Sequence, residues 1–405
     1  MSSRTLPRGV GAAVVVCALV GAIAGSALAF TSWTVVATPN PGVYGNLLKA
    51  VSARTTTDVW AVGATATSSS NQPLIQHWNG TSWTNLPAPN PVPGCQDGNI
   101  QWTGNTLNGV AAVSGTDAWA VGHTCYTMKT LVEHWNGSTW SIVPSPSFAT
   151  GGDGIQNTLN GVAAPSSTNV WAVGSHTAAN GAYVTLVEHW NGSSWSVVSS
   201  PSPSATANGL NAVGGSGPSD VWAVGYQNGT ASQPLIEHWN GASWSVVPSP
   251  ARTGGSVLNA VTVISPTNAW AVGSQPSASS GAPLTLVEHW NGTSWSVVPS
   301  PNLSTAYGSA NVLRGIAAIS ATDIWAVGMV QNSSTNYHQH RTFTLHWNGL
   351  SWSVVSSPTP GTTGELNAVA ALPTGRVWAT GLYSPYSVNI YDGSYTAPRT
   401  LILAG

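Results

Sequence analysis

Charged side chains are scarce in this 405-residue chain, where Asp, Glu, Lys and Arg together make up only 5% of residues. An average globular protein has about 25%. Lysine occurs only at Lys49 and Lys129. A surface without a basic stripe cannot neutralise phosphates, which argues against nucleic acid as a partner. The chain is not expected to be disordered, because 42% of its residues are hydrophobic and regularly patterned. A neutral surface of this kind suits an extracellular setting.

The first 29 residues have the pattern of a secretory signal. Arg4 and Arg8 precede an apolar stretch over 9–26, and Ala27-Leu28-Ala29 is a small-residue cleavage site. A retained membrane anchor is the alternative, since roughly 20 apolar residues can cross a bilayer. We expect cleavage before Phe30, which leaves no membrane span in the mature chain, residues 30–405.

Cysteine is also rare, and only Cys95 and Cys125 lie beyond the signal segment. In an oxidising compartment the two can form a disulfide, which would stabilise the fold by about 3.5 kcal/mol through the closed loop. A free reactive thiol is the alternative.

Tryptophan, by contrast, is abundant, and 20 of its 21 copies fall on three repeating positions. Seven belong to Trp-Ala-(Val/Thr)-Gly segments: Trp60, Trp119, Trp171, Trp222, Trp270, Trp325 and Trp378. Six belong to Trp-Asn-Gly segments: Trp78, Trp135, Trp190, Trp239, Trp290 and Trp347. Seven more are Trp33, Trp83, Trp140, Trp195, Trp244, Trp295 and Trp352. The period of 48 to 59 residues predicts a propeller or a solenoid.

The second repeat shows what one unit contains. Short apolar segments at 107–113, 118–122, 130–135 and 138–143 predict four strands, and Asn136-Gly137 predicts a two-residue hairpin turn. Nothing in the repeat has a helical period, and Gly and Pro interrupt it every 10 to 15 residues. Four antiparallel strands per unit indicate a propeller blade. The predicted fold is therefore all-β, a seven-bladed β-propeller spanning residues 30–405.

The two ends of the chain predict how the ring closes. The last unit has a third strand near 400–403 and no fourth, whereas residues 31–36 around Trp33 form a fourth strand with no blade before it. Pairing them completes seven blades. A competing register uses 387–393 as the third strand, because Tyr391-Asp392-Gly393 resembles Trp-Asn-Gly.

The repeat resembles seven-bladed propellers of the kelch and galactose-oxidase central-domain type, and secreted bacterial proteins built from a Trp-rich unit. The turn Asn79-Gly80-Thr81-Ser82-Trp83 is similar to the Asp-box of sialidase-like propellers, with Trp78 in place of the usual acidic residue. The paired glycines of kelch are missing from the second strand. The resemblance implies the fold, and a shared fold does not carry an activity with it.

Long, variable loops are expected on one face of the disc, which we call the variable face. They comprise the connections from strand two to strand three and those between blades, and variable loops on a rigid scaffold usually present binding sites. All ten tyrosines and the one non-repeat tryptophan are predicted to lie in them. We take as ligand-binding candidates Trp102, Tyr126, Tyr183, Tyr226, Tyr307, Tyr337, Tyr383 and Tyr386. The alternative for any single tyrosine is packing within its own loop.

The remaining polar residues give no catalytic motif. Six histidines before the strand-three tryptophans lie too far apart to share a metal and are expected to form structural hydrogen bonds, as are the glutamates beside them at 133, 188, 237 and 288. The acids in the first turn (Asp58, Asp117, Asp220 and Asp323) suit turn capping. The Asp-Gly pairs at Asp97 and Asp153 suit turn formation better than a calcium site. His338 and His340 alone are a weak signal for a metal site. No metal site and no cofactor are expected.

These observations favour a secreted, monomeric, non-catalytic module that binds an extracellular glycan or protein through its aromatic loops. A glycan-active enzyme of sialidase-like or oxidase-like type is the alternative from another class, and a structural cell-surface module is a third.

Overall fold

The computed structural model describes residues 30, 32–66, 70–93, 104–125, 129–148, 156–250, 255–332, 339–385 and 397–405. Every regular element in these residues is a β-strand. They contain no apolar helix of membrane-spanning length. The strands form successive four-stranded antiparallel units, which is the arrangement of a β-propeller and agrees with the all-β prediction.

The strands group into seven units, numbered blades 1 to 7 in chain order, and the first strand of the chain, β1 (Thr34–Val35), belongs to blade 7. Blade 1 comprises β2 (Gly45–Thr55), β3 (Asp58–Ala66), β4 (Asn71–Trp78) and β5 (Trp83–Leu86); blade 2 comprises β6 (Thr106–Ser114), β7 (Asp117–His123), β8 (Thr130–Trp135) and β9 (Trp140–Ile142). Blade 3 comprises β10 (Asn157–Ser166), β11 (Asn169–Thr177), β12 (Tyr183–Trp190) and β13 (Trp195–Val197); blade 4 comprises β14 (Ala207–Gly217), β15 (Asp220–Asn228), β16 (Ser232–Trp239) and β17 (Trp244–Val246). Blade 5 comprises β18 (Val257–Ser265), β19 (Asn268–Pro276), β20 (Pro283–Trp290) and β21 (Trp295–Val297); blade 6 comprises β22 (Ala310–Ser320), β23 (Asp323–Gln331), β24 (His340–Trp347) and β25 (Trp352–Val355); blade 7 continues with β26 (Thr363–Ala371), β27 (Val377–Ser384) and β28 (Arg399–Ala404).

Five of these units are separate four-stranded sheets, and blades 3 and 4 share an eight-stranded one. The link between blades 3 and 4 is a single parallel pairing of Tyr183 with Ala207. Blade 7 has the strand order β1-β28-β27-β26, so it combines the two ends of the described chain. Thr34 pairs with Ala404, and the Val36 N–H donates to the Ile402 carbonyl at 2.9 Å. The predicted third strand near residue 400 is present as β28, and the competing segment 387–393 lies outside the described residues.

The hydrophobic core is divided into clusters that lie between blades. One cluster joins Trp60 and Ile75 of blade 1 to Leu107 of blade 2, and another joins Leu48 of blade 1 to Trp378 of blade 7. Each cluster contains the strand-two tryptophan of one blade and the strand-four tryptophan of the next. Both faces of each sheet are therefore covered, which explains why the second strands are apolar on both sides.

Three tryptophan rings meet at six of the blade interfaces, with centroids 4.9 to 6.0 Å apart: Trp60–Trp135–Trp140, Trp119–Trp190–Trp195, Trp171–Trp239–Trp244, Trp222–Trp290–Trp295, Trp270–Trp347–Trp352 and Trp378–Trp78–Trp83. At the seventh interface Phe30 takes the place of the strand-three tryptophan, 4.3 Å from Trp325 and 5.4 Å from Trp33. Gly405 follows β28 where that tryptophan would otherwise stand, and the Phe30 ring lies against it. Tilted and edge-on ring pairs of this kind add to the stabilisation from buried area.

The glycine of each Trp-Ala-(Val/Thr)-Gly segment is required by a close backbone approach. A Cβ at Gly225 would lie 1.9 Å from the Gly209 carbonyl oxygen of the inner strand. Real Cβ atoms do not come so close to a backbone oxygen, so only glycine fits here. The inner strand approaches closely because it carries a bulge just after Leu210.

The Asn-Gly turns differ from the predicted two-residue hairpins. Trp135 pairs with Trp140, so the loop between β8 and β9 has four residues. The Asn136 side-chain oxygen accepts hydrogen bonds from the backbone N–H groups of Ser138 and Thr139, each at 3.0 Å. Asparagine thus caps its own turn through its side chain, and the prediction failed because backbone turn type alone was considered.

The repeated histidines form the structural hydrogen bonds predicted for them. His77 Nε2 lies 2.8 Å from Asp58 Oδ1, and its ring lies 4.2 Å from the ring of Trp60. The same pair recurs in blades 2 to 6 as His134–Asp117, His189–Asn169, His238–Asp220, His289–Asn268 and His346–Asp323. The first-turn Asp and Asn side chains therefore hold the histidines, a role that the turn prediction missed.

The repeated glutamates are not uniformly hydrogen-bonded, contrary to prediction. Glu288 accepts from the Ser249 hydroxyl at 2.9 Å, whereas Glu133 is fully buried and has no hydrogen-bond partner among the described residues. A serine stands five positions after the strand-four tryptophan of the blade before Glu188, Glu237 and Glu288, and of these three serines only Ser249 is seen to hydrogen-bond its glutamate among the described residues. Ala88 takes that place before Glu133, so no hydroxyl is available there. Burial raises the pKa of Glu133 to about 8.

Candidate functional site

Seven polar side chains occupy one shared position on the innermost strands of the blades, and this set was not recognised from the sequence. Each inner strand has a bulge directly after a buried leucine, and the extra residue carries a polar or charged side chain. The seven residues, which we call the axial ring, are Lys49, Asn108, Asn160, Asn211, Asn259, Arg314 and Asn367. All seven are partly exposed. Bulges redirect side chains in this way because the inserted residue has no partner in the ladder.

Hydrogen bonds connect each member of the axial ring to the next blade, over distances of 2.7 to 2.9 Å. Five asparagines donate through Nδ2 to a leucine carbonyl: Asn108 to Leu159, Asn160 to Leu210, Asn211 to Leu258, Asn259 to Leu313 and Asn367 to Leu48. Lys49 Nζ instead donates to Asn108 Oδ1, and Arg314 Nη1 to Asn367 Oδ1. The axial ring thus joins the inner strands of successive blades through polar side chains that are partly exposed.

The axial ring lies part-way along the inner strands, which begin at the expected variable face. Lys49 is the fifth of eleven residues in β2, which starts on that face because the connection between blades enters there. At about 3.3 Å per residue, the ring lies roughly 13 Å inside the strand start.

Arg314, one of the two cations of the axial ring, forms an ion pair with Glu365. Arg314 Nη1 lies 2.7 Å from Glu365 Oε1, and His340 Nδ1 lies 3.5 Å from Glu365 Oε2. Burial alone would raise the pKa of Glu365, but the hydrogen bond from His340 and the adjacent Arg314 outweigh it and hold the pKa at about 2. Glu365 is therefore ionised at neutral pH and unsuited to act as a general acid.

The weak metal signal at His338 and His340 receives no support from the described residues. His338 lies outside them, and His340 contacts Glu365 in the ion-paired arc. No cluster of three metal-ligating groups occurs in the described part of the chain.

Lys49 has a different environment. Its one hydrogen-bond acceptor is Asn108, and within 4.0 Å of Nζ the described residues supply no carboxylate. His123 lies beside it, since Asn108 Nδ2 and His123 Nδ1 are 3.5 Å apart. Burial, and then the charge of Lys49, lower the pKa of His123 to about 4, so this imidazole is neutral. Burial also lowers the pKa of Lys49.

Two of the predicted aromatic residues lie on the strands that flank β14, where Tyr183 pairs with Ala207 and Tyr226 with Gly209. The Tyr226 ring lies over Gly209, where a Cβ would be 2.8 Å from Tyr226 Cε1, and Gly209 is two residues before Asn211. Burial raises the pKa of Tyr226, and the nearby Tyr183 raises it further. The pair is held by the junction of blades 3 and 4, where the Asn208 amide also donates to the Tyr183 carbonyl at 3.2 Å.

The other described tyrosines have separate roles. Tyr307 is 80% exposed in the connection between blades 5 and 6. Tyr383 packs against the cluster that contains Trp33 and Trp325. The prediction that all tyrosines lie in loops is wrong for Tyr183, Tyr226 and Tyr383, which belong to β12, β15 and β27. Strands two and three continue past their motifs by several paired residues, which local sequence did not reveal.

Several predicted residues lie outside the described part of the chain: Trp102, Tyr126, Tyr337, Tyr386 and Cys95. Cys125 is buried and disulfide-bonded, and its pairing with Cys95 stays a prediction.

A signal for the axial ring does exist in the sequence. Each inner strand contains Leu-Asn-(Gly/Ala), with asparagine replaced by lysine at Lys49 and by arginine at Arg314. A polar residue inside an otherwise apolar strand, repeated at the blade period, indicates a shared position around the axis. The lysine and arginine are departures from that repeat and therefore candidates for function.

Structures of known proteins support the fold. YCF48 bound to a D1 peptide is similar over 93% of this chain and 97% of that chain, with 12% identity and a TM-score of 0.53. A polysaccharide lyase of family PL25, an ulvan lyase bound to -[GlcA(1-4)Rha3S]-, is similar over 91% and 94%, with 11% identity and a TM-score of 0.50. A six-bladed β-propeller lectin from Aleuria aurantia aligns over 68% and 87%, with 14% identity and a TM-score of 0.42.

At these identities the likeness concerns the propeller fold alone. No protein-family model matches the chain, and no curated protein matches it. The specific resemblance to kelch and galactose-oxidase propellers therefore stays a prediction.

Proposed function

We propose that this protein is a secreted, non-catalytic binding module that recognises a carbohydrate on the variable face, at the mouth of the axial channel. The observation that carries the proposal is the position of Tyr183 and Tyr226 on the two strands that flank β14, which contains Asn211 of the axial ring. Two amphipathic aromatic rings next to amide groups offer apolar contact and directed hydrogen bonds together, as ligand sites require. A sugar has both apolar faces and hydroxyl groups to match them.

We further infer that the seven blades form one closed ring. The pairing of β1 with β28, the cluster between blades 7 and 1, and the hydrogen bond from Asn367 to the Leu48 carbonyl support this inference. Closure matters for function because it gives the axial ring a continuous lining around the axis.

The tyrosine pair can be tested by replacing Tyr183 and Tyr226 with alanine together. We expect at least a tenfold loss of affinity, because aromatic residues dominate recognition sites, while the thermal midpoint falls little. The measurement is binding of the mature protein to a glycan and cell-wall array, followed by titration of the best hit. Tyr307→Ala, at an exposed position on the same face, is the matched control.

Loss of binding in Tyr307→Ala with full binding in the double variant would place the site elsewhere on the face. The predicted contacts at Trp102, Tyr126, Tyr337 and Tyr386 can be scanned in the same assay. Turnover in a screen of glycosidase and lyase substrates would replace this proposal with the enzyme alternative. The ion pair that keeps Glu365 ionised argues against a general acid at this site.

Secretion is part of the proposal, and Phe30 provides its test. Phe30 packs on Trp325 and completes the seventh aromatic cluster, so the residue that follows the predicted cleavage point contributes to the core. We expect the exported protein to start at Phe30 in N-terminal sequencing. A mature chain that retains residues 1–29, or one that starts beyond Trp33, would contradict this processing.

A further inference from the structure

Lys49 is the one member of the axial ring whose charge has no structural explanation. Asparagine at the same place in five blades bridges to the next inner strand without any charge. Arg314, the other cation, is paired with Glu365 at 2.7 Å. Lys49 instead makes one hydrogen bond to the neutral Asn108 amide, although an ammonium has three donors. Keeping a partly buried charge without a counter-charge costs free energy, which a bound anion would offset.

The groups around Lys49 do not neutralise it. His123, its nearest titratable neighbour, is neutral, since its pKa is lowered to about 4. The Arg314–Glu365 pair, on blades 6 and 7, is already balanced. The described side chains around Lys49 therefore have an excess of positive charge, although the chain as a whole has a net charge of −2.

The opposite arc of the axial ring has free acceptors. Asn211 and Asn259 use Nδ2 for the bridging bonds, and their Oδ1 atoms accept no hydrogen bond from the described residues. Asn160 Oδ1 accepts only a long bond, 3.4 Å, from the Thr158 hydroxyl. These three oxygens, on blades 3 to 5, suit hydroxyl donors. Tyr226 lies beside this arc, over Gly209.

We propose that the axial site takes an anionic sugar, whose carboxylate or sulfate group is held by Lys49 while its hydroxyl groups donate to the asparagines of blades 3 to 5. This inference rests on the proposed carbohydrate-binding function and specifies its ligand. A neutral sugar would leave Lys49 unpaired, and a simple inorganic anion would leave the asparagine oxygens unused. A ligand with both groups matches the two arcs of the ring.

The test uses Lys49→Asn in the full mature chain. This variant copies the residue found in five other blades, so we expect it to fold normally and to form the bridging bond to the next blade. Lys129→Asn is the matched control, because it removes the only other lysine, which is exposed just before the third strand of blade 2. The ligands are glucuronate, a glucose sulfate and glucose, measured by calorimetric titration.

We expect the unmodified protein to bind at least one of the two anionic sugars about tenfold or more tightly than glucose. Lys49→Asn should reduce that affinity to the level of glucose, and Lys129→Asn should leave it unchanged. The two anionic ligands distinguish a carboxylate from a sulfate. Equal binding of all three sugars, or equal losses in both lysine variants, would overturn the inference while leaving carbohydrate recognition intact.

A second readout separates this inference from the proposed function. Acetate is titrated into the protein while the Asn108 side-chain amide is followed by NMR, because this amide contacts Lys49 at 2.9 Å. A saturable shift that is lost in Lys49→Asn supports an anion site even if no carbohydrate binds. Absence of that shift, together with no preference for anionic sugars, rejects the site.

Discussion

Replacement of Glu133 by glutamine is expected to raise the free energy of unfolding at pH 8 by about 2–4 kcal/mol and to leave it nearly unchanged at pH 4. Glu133 is fully buried without a partner among the described residues, and burial raises its pKa to about 8. Between the ordinary carboxyl pKa and pH 8, the unfolded chain releases a proton that the folded chain keeps. Folding stability therefore falls as the pH rises through this window. A glutamine has no proton to release.

Glutamine already occupies the position of Glu133 in another blade. Blade 1 has Gln76 at the equivalent position, where its amide donates to the Pro39 carbonyl at 2.7 Å. Pro89 stands at the corresponding place before Glu133. Chemical unfolding between pH 4 and pH 9 measures the effect. Glu288→Gln is the control, because Glu288 already accepts from Ser249, and we expect it to stabilise less.

Ala88→Ser tests the cause separately. It gives Glu133 the serine that precedes the other three glutamates, and we expect only a small reduction of the pH dependence, because two of those glutamates keep a raised pKa beside their serines. Glu188 and Glu237 are equally buried with pKa values of about 8, and the Ser145 and Ser200 hydroxyls near them oppose this rise without forming hydrogen bonds of good geometry. Parallel stability curves for the unmodified protein and Glu133→Gln would show that Glu133 does not keep its proton.

Trp33→Ala is expected to reduce the free energy of unfolding by about 3–5 kcal/mol, as for other buried aromatic truncations. Trp33 is 5% exposed and packs edge-on against Trp325 at 5.4 Å. Only the short β1 strand and a few further hydrogen bonds attach this segment to β28. We therefore expect the segment to detach from blade 7 in this variant.

The measurement combines denaturant unfolding with limited proteolysis of residues 30–41. Val35→Ala changes the same strand at a side chain that is 48% exposed and should cost less than about 0.5 kcal/mol. Trp140→Ala removes the equivalent ring from blade 2, where the strand is continuous with its blade, and should not expose the N-terminal segment. An unchanged unfolding midpoint in Trp33→Ala would mean that β1 does not contribute to blade 7.

Much of the fold was predictable because the tryptophans mark the same three strand positions in six blades and two of those positions in blade 7. The four strands of each unit and β28 near residue 400 follow from that repeat. The histidine hydrogen bonds were also predicted, since their spacing excluded a shared metal. The Asn136 turn was misjudged because its shape depends on the asparagine side chain capping the backbone.

The candidate site was less predictable, since its parts come from different blades. Asn211 and Lys49 are adjacent to the axis only because bulges redirect them, and a bulge depends on strand pairing across a blade. Tyr226 was expected in a loop, because no local signal shows how far β15 continues beyond Gly225. The absence of a side chain at Gly209, which makes room for the Tyr226 ring, has meaning only once the strands are aligned.

The pairing of Thr34 with Ala404 has a consequence for the order of folding. The two residues are 370 positions apart, and the hydroxyl of Thr34 donates to the Ala404 carbonyl at 3.0 Å. Residue 404 must be synthesised before this contact can exist, whereas blades 1 to 6 contain only neighbouring segments. Early blades can therefore assemble during synthesis, whereas the segment with Phe30 and Trp33 cannot pair with β28 until that strand has been made. Completion of blade 7 is consequently timed by the synthesis of β28.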